Sequence, residues 1–211
     1  MNRSYNSVFT RITTSFAFSV FAFLPCAGMA QSLQASATPN VNAVAILKWN
    51  AAAQGISFPV PMPNSITFDG ASMWVVTPSD SKGGNGFITK LRASDGLNQG
   101  KFAVGNLPVA LAFDGANIWV ADRNDNTVSK LSASDGTVIG TYKTGKAPSG
   151  VVFDGQNIWI TNFGDESVTK LRASDGTSLG TFPSGSLPLA ITFDGANIWV
   201  TNVNSDSVSK M

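Results

Sequence analysis

The sequence predicts an all-β fold built from a repeated four-stranded unit, and three observations predict it. Phe-Asp-Gly recurs at Phe68-Asp69-Gly70, Phe113-Asp114-Gly115, Phe153-Asp154-Gly155 and Phe193-Asp194-Gly195, at spacings of 45, 40 and 40 residues. A tryptophan follows each motif at a constant offset: Trp74, Trp119, Trp159 and Trp199. A Lys-Leu pair comes next (Lys90-Leu91, Lys130-Leu131, Lys170-Leu171, with Lys210-Met211 in the fourth unit), and Ala-Ser-Asp-Gly recurs at residues 93–96, 133–136 and 173–176. Self-similarity at a fixed period of this length marks a stack of supersecondary units, each burying its apolar faces against its neighbours.

The unit spanning 148–187 shows the elements in order. Residues 148–153 (PSGVVF) form the first strand and 157–162 (NIWITN) the second. Residues 167–172 (SVTKLR) form the third and 178–183 (SLGTFP) the fourth. Isoleucine, valine, threonine, phenylalanine and tryptophan fill these stretches, as a pleated surface prefers. The Asp154-Gly155 and Asp175-Gly176 pairs fall between strands, where glycine supplies the positive φ of a tight turn. The second strand is apolar on both sides, with Ile158 and Ile160 pointing one way and Trp159 the other. A sheet sandwiched between two others needs that pattern. Four strands every 40 residues is the period of a β-propeller blade. A helical solenoid would need long segments with 3.6-residue periodicity, and none occurs. The units run 61–107, 108–147, 148–187 and 188–211, about four blade equivalents. They form either a closed four-blade ring or an arc of a larger one. Residues 44–49 (VAILKW) and 56–60 (ISFPV) resemble the third and fourth strands of a preceding unit, and are candidates to close the ring.

Residues 1–30 carry a different signal. Arg3 and Arg11 precede an apolar run, Phe16 to Leu24, and small residues lead to Gly28-Met29-Ala30. That is a secretory leader with cleavage after Ala30, and it predicts a periplasmic or secreted protein. The run is too short to span a bilayer, so no transmembrane segment remains after cleavage. Residues 31–43 are expected to be a flexible N-terminal segment. Cys26, the sole cysteine, lies within the leader, so the mature chain is held by packing alone. It keeps 12 basic and 13 acidic residues, a formal charge of −1. Such a balance gives no footprint for duplex nucleic acid.

The run Pro148-Ser149-Gly150-Val151-Val152-Phe153-Asp154-Gly155, then Asn157-Ile158-Trp159-Ile160-Thr161-Asn162 and Ser167-Val168-Thr169-Lys170-Leu171, resembles the YVTN/NHL-type bacterial β-propellers, including the streptogramin-lyase-like and YncE-like groups. The resemblance covers residues 61–211 and implies a ring of six to eight blades, more than this chain contains. Such repeats host unrelated activities, so the match speaks to fold rather than function.

The absence of histidine is the most informative negative. Lyase chemistry, as the resemblance implies it, uses a histidine general base, and no position supplies one. Histidine-ligated zinc, Ser-His-Asp triads and cysteine nucleophiles are excluded with it. A Ca²⁺ site of the lactonase kind would need converging carboxylates. The candidates lie between second and third strands: Asp122, Asn124 and Asp125; Asn162, Asp165 and Glu166; Asn202, Asn204 and Asp206. They share a face with the links 105–108, 145–148 and 185–188, the face on which propellers usually bind ligands. Asn and Asp are also ordinary turn formers, so no metal ligand and no catalytic residue is assigned. Trp74, Trp119, Trp159 and Trp199 read as inter-blade packing residues. Lys90, Lys130 and Lys170 read as solvated strand protection, with an anion-binding ring as the alternative.

The reading that follows is an exported, non-catalytic binding or scaffold propeller without a cofactor, whose partner is a protein or a cell-envelope component. One alternative is a metal-dependent lyase- or lactonase-like enzyme. Another is single-strand nucleic-acid binding of the YncE-like kind, which needs exposed aromatics and a basic groove. An open ring would expose apolar faces and favour self-association.

Overall fold

The computed structural model describes residues 56–78 and 84–211. The leader at 1–30, the segment 31–43, the strand-like stretch 44–49 and residues 79–83 of the first unit fall outside them. Among the described residues every regular element is a strand. The first sheet is β1 (Ser65–Phe68), β2 (Ser72–Thr77), β3 (Asn85–Arg92) and β4 (Asn98–Asn106). The second is β5 (Pro108–Phe113), β6 (Asn117–Asp122), β7 (Thr127–Ser132) and β8 (Val138–Lys143). The third is β9 (Pro148–Phe153), β10 (Asn157–Asn162), β11 (Ser167–Arg172) and β12 (Ser178–Pro183). The fourth has three strands, β13 (Pro188–Phe193), β14 (Ile198–Asn202) and β15 (Ser207–Lys210). Each sheet is an antiparallel meander. First strands touch in succession, β1 with β5, β5 with β9 and β9 with β13, so they form the inner edge about which the sheets are arrayed.

The core is three separate seams between successive sheets. In the first, Trp74, Val76 and Ile88 meet Leu111, Ile118, Val120 and Leu131. In the second, Trp119 and Val128 meet Ile158, Ile160 and Leu171. In the third, Trp159 and Val168 meet Ile198 and Val200. Each sheet thus presents its tryptophan forward and its paired aliphatics backward. Burying one such side chain stabilises by roughly 1.5–3 kcal/mol, which makes the seams the main source of cohesion.

The constant offset from Phe-Asp-Gly to tryptophan has a direct cause. In every unit one aspartate oxygen accepts backbone N–H groups two and three residues on, and the other accepts the indole N–H. Asp69, Asp114 and Asp154 receive Trp74, Trp119 and Trp159 at 2.7 Å, and Asp194 receives Trp199 at 2.6 Å. A tryptophan can be fully buried only if its N–H finds a partner, and the carboxylate two-residue turn supplies it. The turn glycines have φ of 98 to 99°, which a residue with a Cβ rarely adopts.

A second device joins neighbouring sheets. Lys90 Nζ lies 5.0 Å from the Trp74 ring and donates to the carbonyls of Ala133 and Ser134, at 2.7 and 3.0 Å. Lys130 repeats this over Trp119, donating to Ala173 and Ser174 at 2.7 and 3.1 Å. These lysines are therefore neither solvated strand protection nor an anion ring. Lys130 is 4% exposed, and its ammonium is satisfied by the Ala-Ser-Asp-Gly turn of the following unit. A third contact uses the same turn. Phe102 and Tyr142, on the outer strands, lie over Gly136 and Gly176, where a Cβ would collide with the ring.

Among the described residues the four sheets form an arc that does not close. Ile66 on β1 is 58% exposed, whereas its counterpart Leu111 is 7% exposed. Val208 on β15 is 60% exposed, whereas Val128 and Val168 are fully buried. Trp74, Trp119 and Trp159 lie in the three seams, and Trp199 keeps its aspartate and is half-buried. Residues 56–60 form no strand beside β15. Instead Phe58 lies over Gly96, as Phe102 lies over Gly136.

Burial raises the Asp154 carboxyl, but the Trp159 indole, Asn157 and two backbone N–H donors outweigh it, so it titrates below its usual range. The charged form is then favoured in the fold. Its contribution is present above about pH 4 and is lost as pH falls through the depressed value. Asp154→Ala is expected to cost about 1–3 kcal/mol at pH 7. Urea unfolding followed by tryptophan fluorescence measures the loss, and the difference from wild type should shrink as pH falls through the depressed value.

Candidate functional site

The loops between second and third strands, residues 123–126, 163–166 and 203–206, lie beside the links that enter each sheet. Those links contain strain. Leu107, Ala147 and Leu187 have φ of 52, 50 and 53°, each directly before a proline. Non-glycine residues in this region cost of order 1–3 kcal/mol and persist only where surrounding contacts hold them. Here two layers of contacts hold them. Arg123, Phe163 and Val203 donate their backbone N–H to the carbonyls of Leu107, Ala147 and Leu187. The loop side chains supply the second layer.

Asp125 Oδ2 accepts the Asn106 N–H at 2.8 Å, and Asp165 accepts the Lys146 N–H. Asn124 Nδ2 donates to Asn106 Oδ1 at 3.2 Å, and Asn204 Nδ2 to Ser186 Oγ at 3.3 Å. Glu166 Oε1 accepts from Ser186 Oγ at 2.7 Å. Glu166 and Asp206 themselves occupy the left-handed region, at φ 52 and 44°. The polar side chains thus bind the link of the same blade or the next one, rather than pointing at a common centre. Among the described residues no three acidic side chains gather as a metal site.

Asp122, Asn162 and Asn202 are the last residues of β6, β10 and β14 and are buried beneath the links. Gly105, Gly145 and Gly185 allow the approach, since a Cβ at each would sit 2.6–2.7 Å from the Asp or Asn Cγ. Asn162 satisfies both ends of its amide. Its Oδ1 accepts the Gly145 N–H at 3.1 Å, and its Nδ2 donates to Ser167 and Thr169 at 3.0 and 2.9 Å. Asn202 donates to Ser207 and Ser209 at 3.2 and 2.9 Å.

Asp122 departs from this pattern in being an acid. It is fully buried and Oδ2 accepts from Ser129 Oγ at 2.6 Å, while its Oδ1, like Asn202 Oδ1, has no partner. Burial pushes its carboxyl up to about 6, Ser129 opposes the shift, and the nearby Asp125 adds to it. The sequence marks Asp122 only as one acidic loop residue among several. Alignment of the units would have singled it out, because threonine or asparagine stands at the equivalent Thr77, Asn162 and Asn202. A further feature not apparent from the sequence is an open cleft of about 540 Å³ between the second and third sheets on the Phe-Asp-Gly face. Asn117, Gln156, Arg172 and Ser174 line it.

No family model matches the chain. No curated protein matches it either. Solved structures do. Hydrazine synthase of Kuenenia stuttgartiensis is 22% identical with a TM-score of 0.63, over 76% of this chain and 48% of that one. A streptogramin B lyase is 25% identical with a TM-score of 0.58, over 74% and 53%. A 6-phosphogluconolactonase-like protein of Bacteroides uniformis is 19% identical with a TM-score of 0.62, over 74% and 54%. These are β-propeller folds, and this chain spans about half the length of each. The likeness shows the fold.

Asp122→Asn is expected to stabilise the protein at pH 7.5, because an amide can donate to Ser129 and Thr127 as Asn162 donates to Ser167 and Thr169. A carboxyl whose folded value is raised contributes stability below about pH 4 that disappears as pH rises through about 6. The gain should therefore be about 1–3 kcal/mol at pH 7.5 and near zero at pH 4. Urea midpoints across that range read it.

Proposed function

We propose that the chain is an exported, non-catalytic binding or scaffold β-propeller whose ligand is a protein, a glycan or another cell-envelope component. One observation carries the reading. The polar loop residues, in equivalent positions of successive units, are engaged with the links, Asp125 and Asp165 with their backbone N–H groups and Asn124, Glu166 and Asn204 with their side chains. A rim built this way is a rigid, repeated polar surface, suited to recognition by shape and hydrogen bonding. The leader-like residues 1–30 support export. Trp74, Trp119 and Trp159 are buried, which leaves them unavailable as stacking platforms for single-stranded nucleic acid.

Asp122 favours a second reading, a metal-dependent lyase- or lactonase-like enzyme. A carboxyl raised to about 6 is in the range useful for general-base work, and it occurs once. Two of the structural neighbours are a lyase and a lactonase-like protein. Against it, Asp122 is fully buried beneath the strained link, out of reach of a substrate.

Calorimetric titration with Ca²⁺, Mg²⁺ and Mn²⁺ separates the two. The binding reading predicts no heat that disappears when Asp122, Asp165 and Asp206 are replaced together by alanine. It also predicts no lactone-opening activity that rises with protein concentration. Metal-dependent turnover abolished by that triple substitution would replace it with the second reading.

A further inference from the structure

The cleft between the second and third sheets lies at the opposite end of the strands from the loops and links. Its volume, about 540 Å³, falls within the range of roughly 300–1,000 Å³ typical of ligand sites. Comparison of the units shows what is particular to it. The junction between the first and second sheets carries Ser72, Ala116 and Ser132 where this one carries Asn117, Gln156 and Arg172. The aspartate, lysine, phenylalanine and Ala-Ser turn that fit the sheets together are common to both. All three differences therefore place a longer, planar polar side chain on the walls of one cleft. At the Gln156 position the other units have alanine, at Ala71, Ala116 and Ala196.

The fold does not explain these differences. Gln156 serves it through its backbone, the N–H donating to Asp154 and the carbonyl accepting from Ala173. Arg172 meets Asp175 through Nη1 at 3.1 Å, with about half of each side chain exposed, and such a pair contributes little. Asn117 Nδ2 donates to both oxygens of Asp114, at 3.2 and 3.1 Å, which turns its Oδ1 away from that carboxylate. Asn157 is held on Asp154 in the same way.

The full charges deep in the cleft are already satisfied. Lys130 donates to the Ala173 and Ser174 carbonyls, and Asp114 accepts from Ala116, Asn117 and Trp119. What remains is three amides and a guanidinium beside Phe153, which gives an apolar wall. Such a set offers donors and acceptors together. A carboxylate or phosphate brings acceptors only, and would face the asparagine oxygens and the Asp114 and Asp175 carboxylates. A neutral sugar hydroxyl donates and accepts at once, and a planar amide or guanidinium matches two neighbouring hydroxyls.

We infer that this cleft binds a neutral saccharide, whose hydroxyls bond Asn117, Gln156, Asn157 and Arg172. The inference rests on the binding reading above and names its ligand class, at a face separate from the loops. The aspartate-held asparagines are ordered before the ligand arrives, which lowers the cost of binding in a site open to water.

Amide-resolved NMR of the full chain, titrated separately with cellotriose, maltotriose, mannotriose and N-acetylated chitotriose, tests it. At least one sugar is expected to shift the side-chain amide signals of Asn117, Gln156 and Asn157, with a Kd below about 1 mM. Gln156→Ala and Arg172→Ser, which install the residues of the second unit, should each weaken binding at least about tenfold. Urea midpoints unchanged from wild type separate that loss from unfolding. No shift from any of the four sugars at about 10 mM overturns the inference. Binding that both variants leave intact does so too. Shifts confined to residues 123–126 and 163–166 would overturn the cleft while keeping the binding reading. A response to glucuronate or inorganic phosphate, with none to the neutral sugars, would overturn the ligand class. The binding reading itself stands or falls separately, on the metal-dependent turnover described above.

Discussion

The fold depends on one contact, the burial of a tryptophan between successive sheets. An indole cannot be removed from water with its N–H unpaired without a penalty of the order of a hydrogen bond. The Asp-Gly turn five residues earlier removes that penalty inside the unit, at 2.6–2.7 Å in all four cases. Once the ring is placed, its face is available to a lysine from the adjacent strand, and that lysine reaches carbonyls of the next unit. Turn, ring, cation and neighbouring turn therefore form one chain of causes. It gives the stack a direction, because the tryptophan always points forward and the turn always receives from behind.

That direction dictates what the loop face can be. Each link must bring the chain from the outer strand of one sheet to the inner strand of the next, and it does so through a left-handed residue before proline. Such a backbone holds only if it is over-determined by its surroundings. The aspartates and asparagines of the loops do this from two sides, and the buried side chain at the end of each second strand closes the layer from beneath. The polarity of this face is thus mainly a consequence of stacking sheets with short links. Asp122 is the exception, since an amide serves its position better than a carboxylate, and nothing in the stacking of sheets explains the acid.

Much of this was legible in the sequence. The strands of the third unit coincide with the expected residues, because alternation of side chains and Asp-Gly turns are local signals. The tryptophans were legible as seam residues because both faces of their strand are apolar. The lysines were not. Their role depends on carbonyls about 43 residues away, and periodicity says nothing of which atoms of adjacent units meet. Asn162 and Asp165 were legible only as turn formers, since the same residue types serve turns, clamps and metal sites alike. Phe58 was read as part of a fourth strand. Its ring does lie over Gly96 as the fourth-strand rings of the other units lie over Gly136 and Gly176, although residues 56–60 form no strand.

A stack held by a single directional contact cannot lack ends unless it closes. Whatever its number of units, an open arc presents one forward half and one backward half, and the two are complementary by construction. In the fourth unit the forward half is complete by contacts within the unit itself. Trp199 is latched to Asp194 at 2.6 Å, and Lys210 lies over its ring at 5.2 Å, although no sheet stands beyond them among the described residues. The indole hydrogen bond and the backbone donors of its turn hold the Asp194 carboxyl far below the usual carboxylate range, so its acceptor is charged at any physiological pH. The rotamers of the tryptophan and lysine are therefore set by contacts within the unit and not by the neighbour. A face organised in this way has already met much of the ordering cost that association imposes, and this is why the same few residues per unit suffice at every junction.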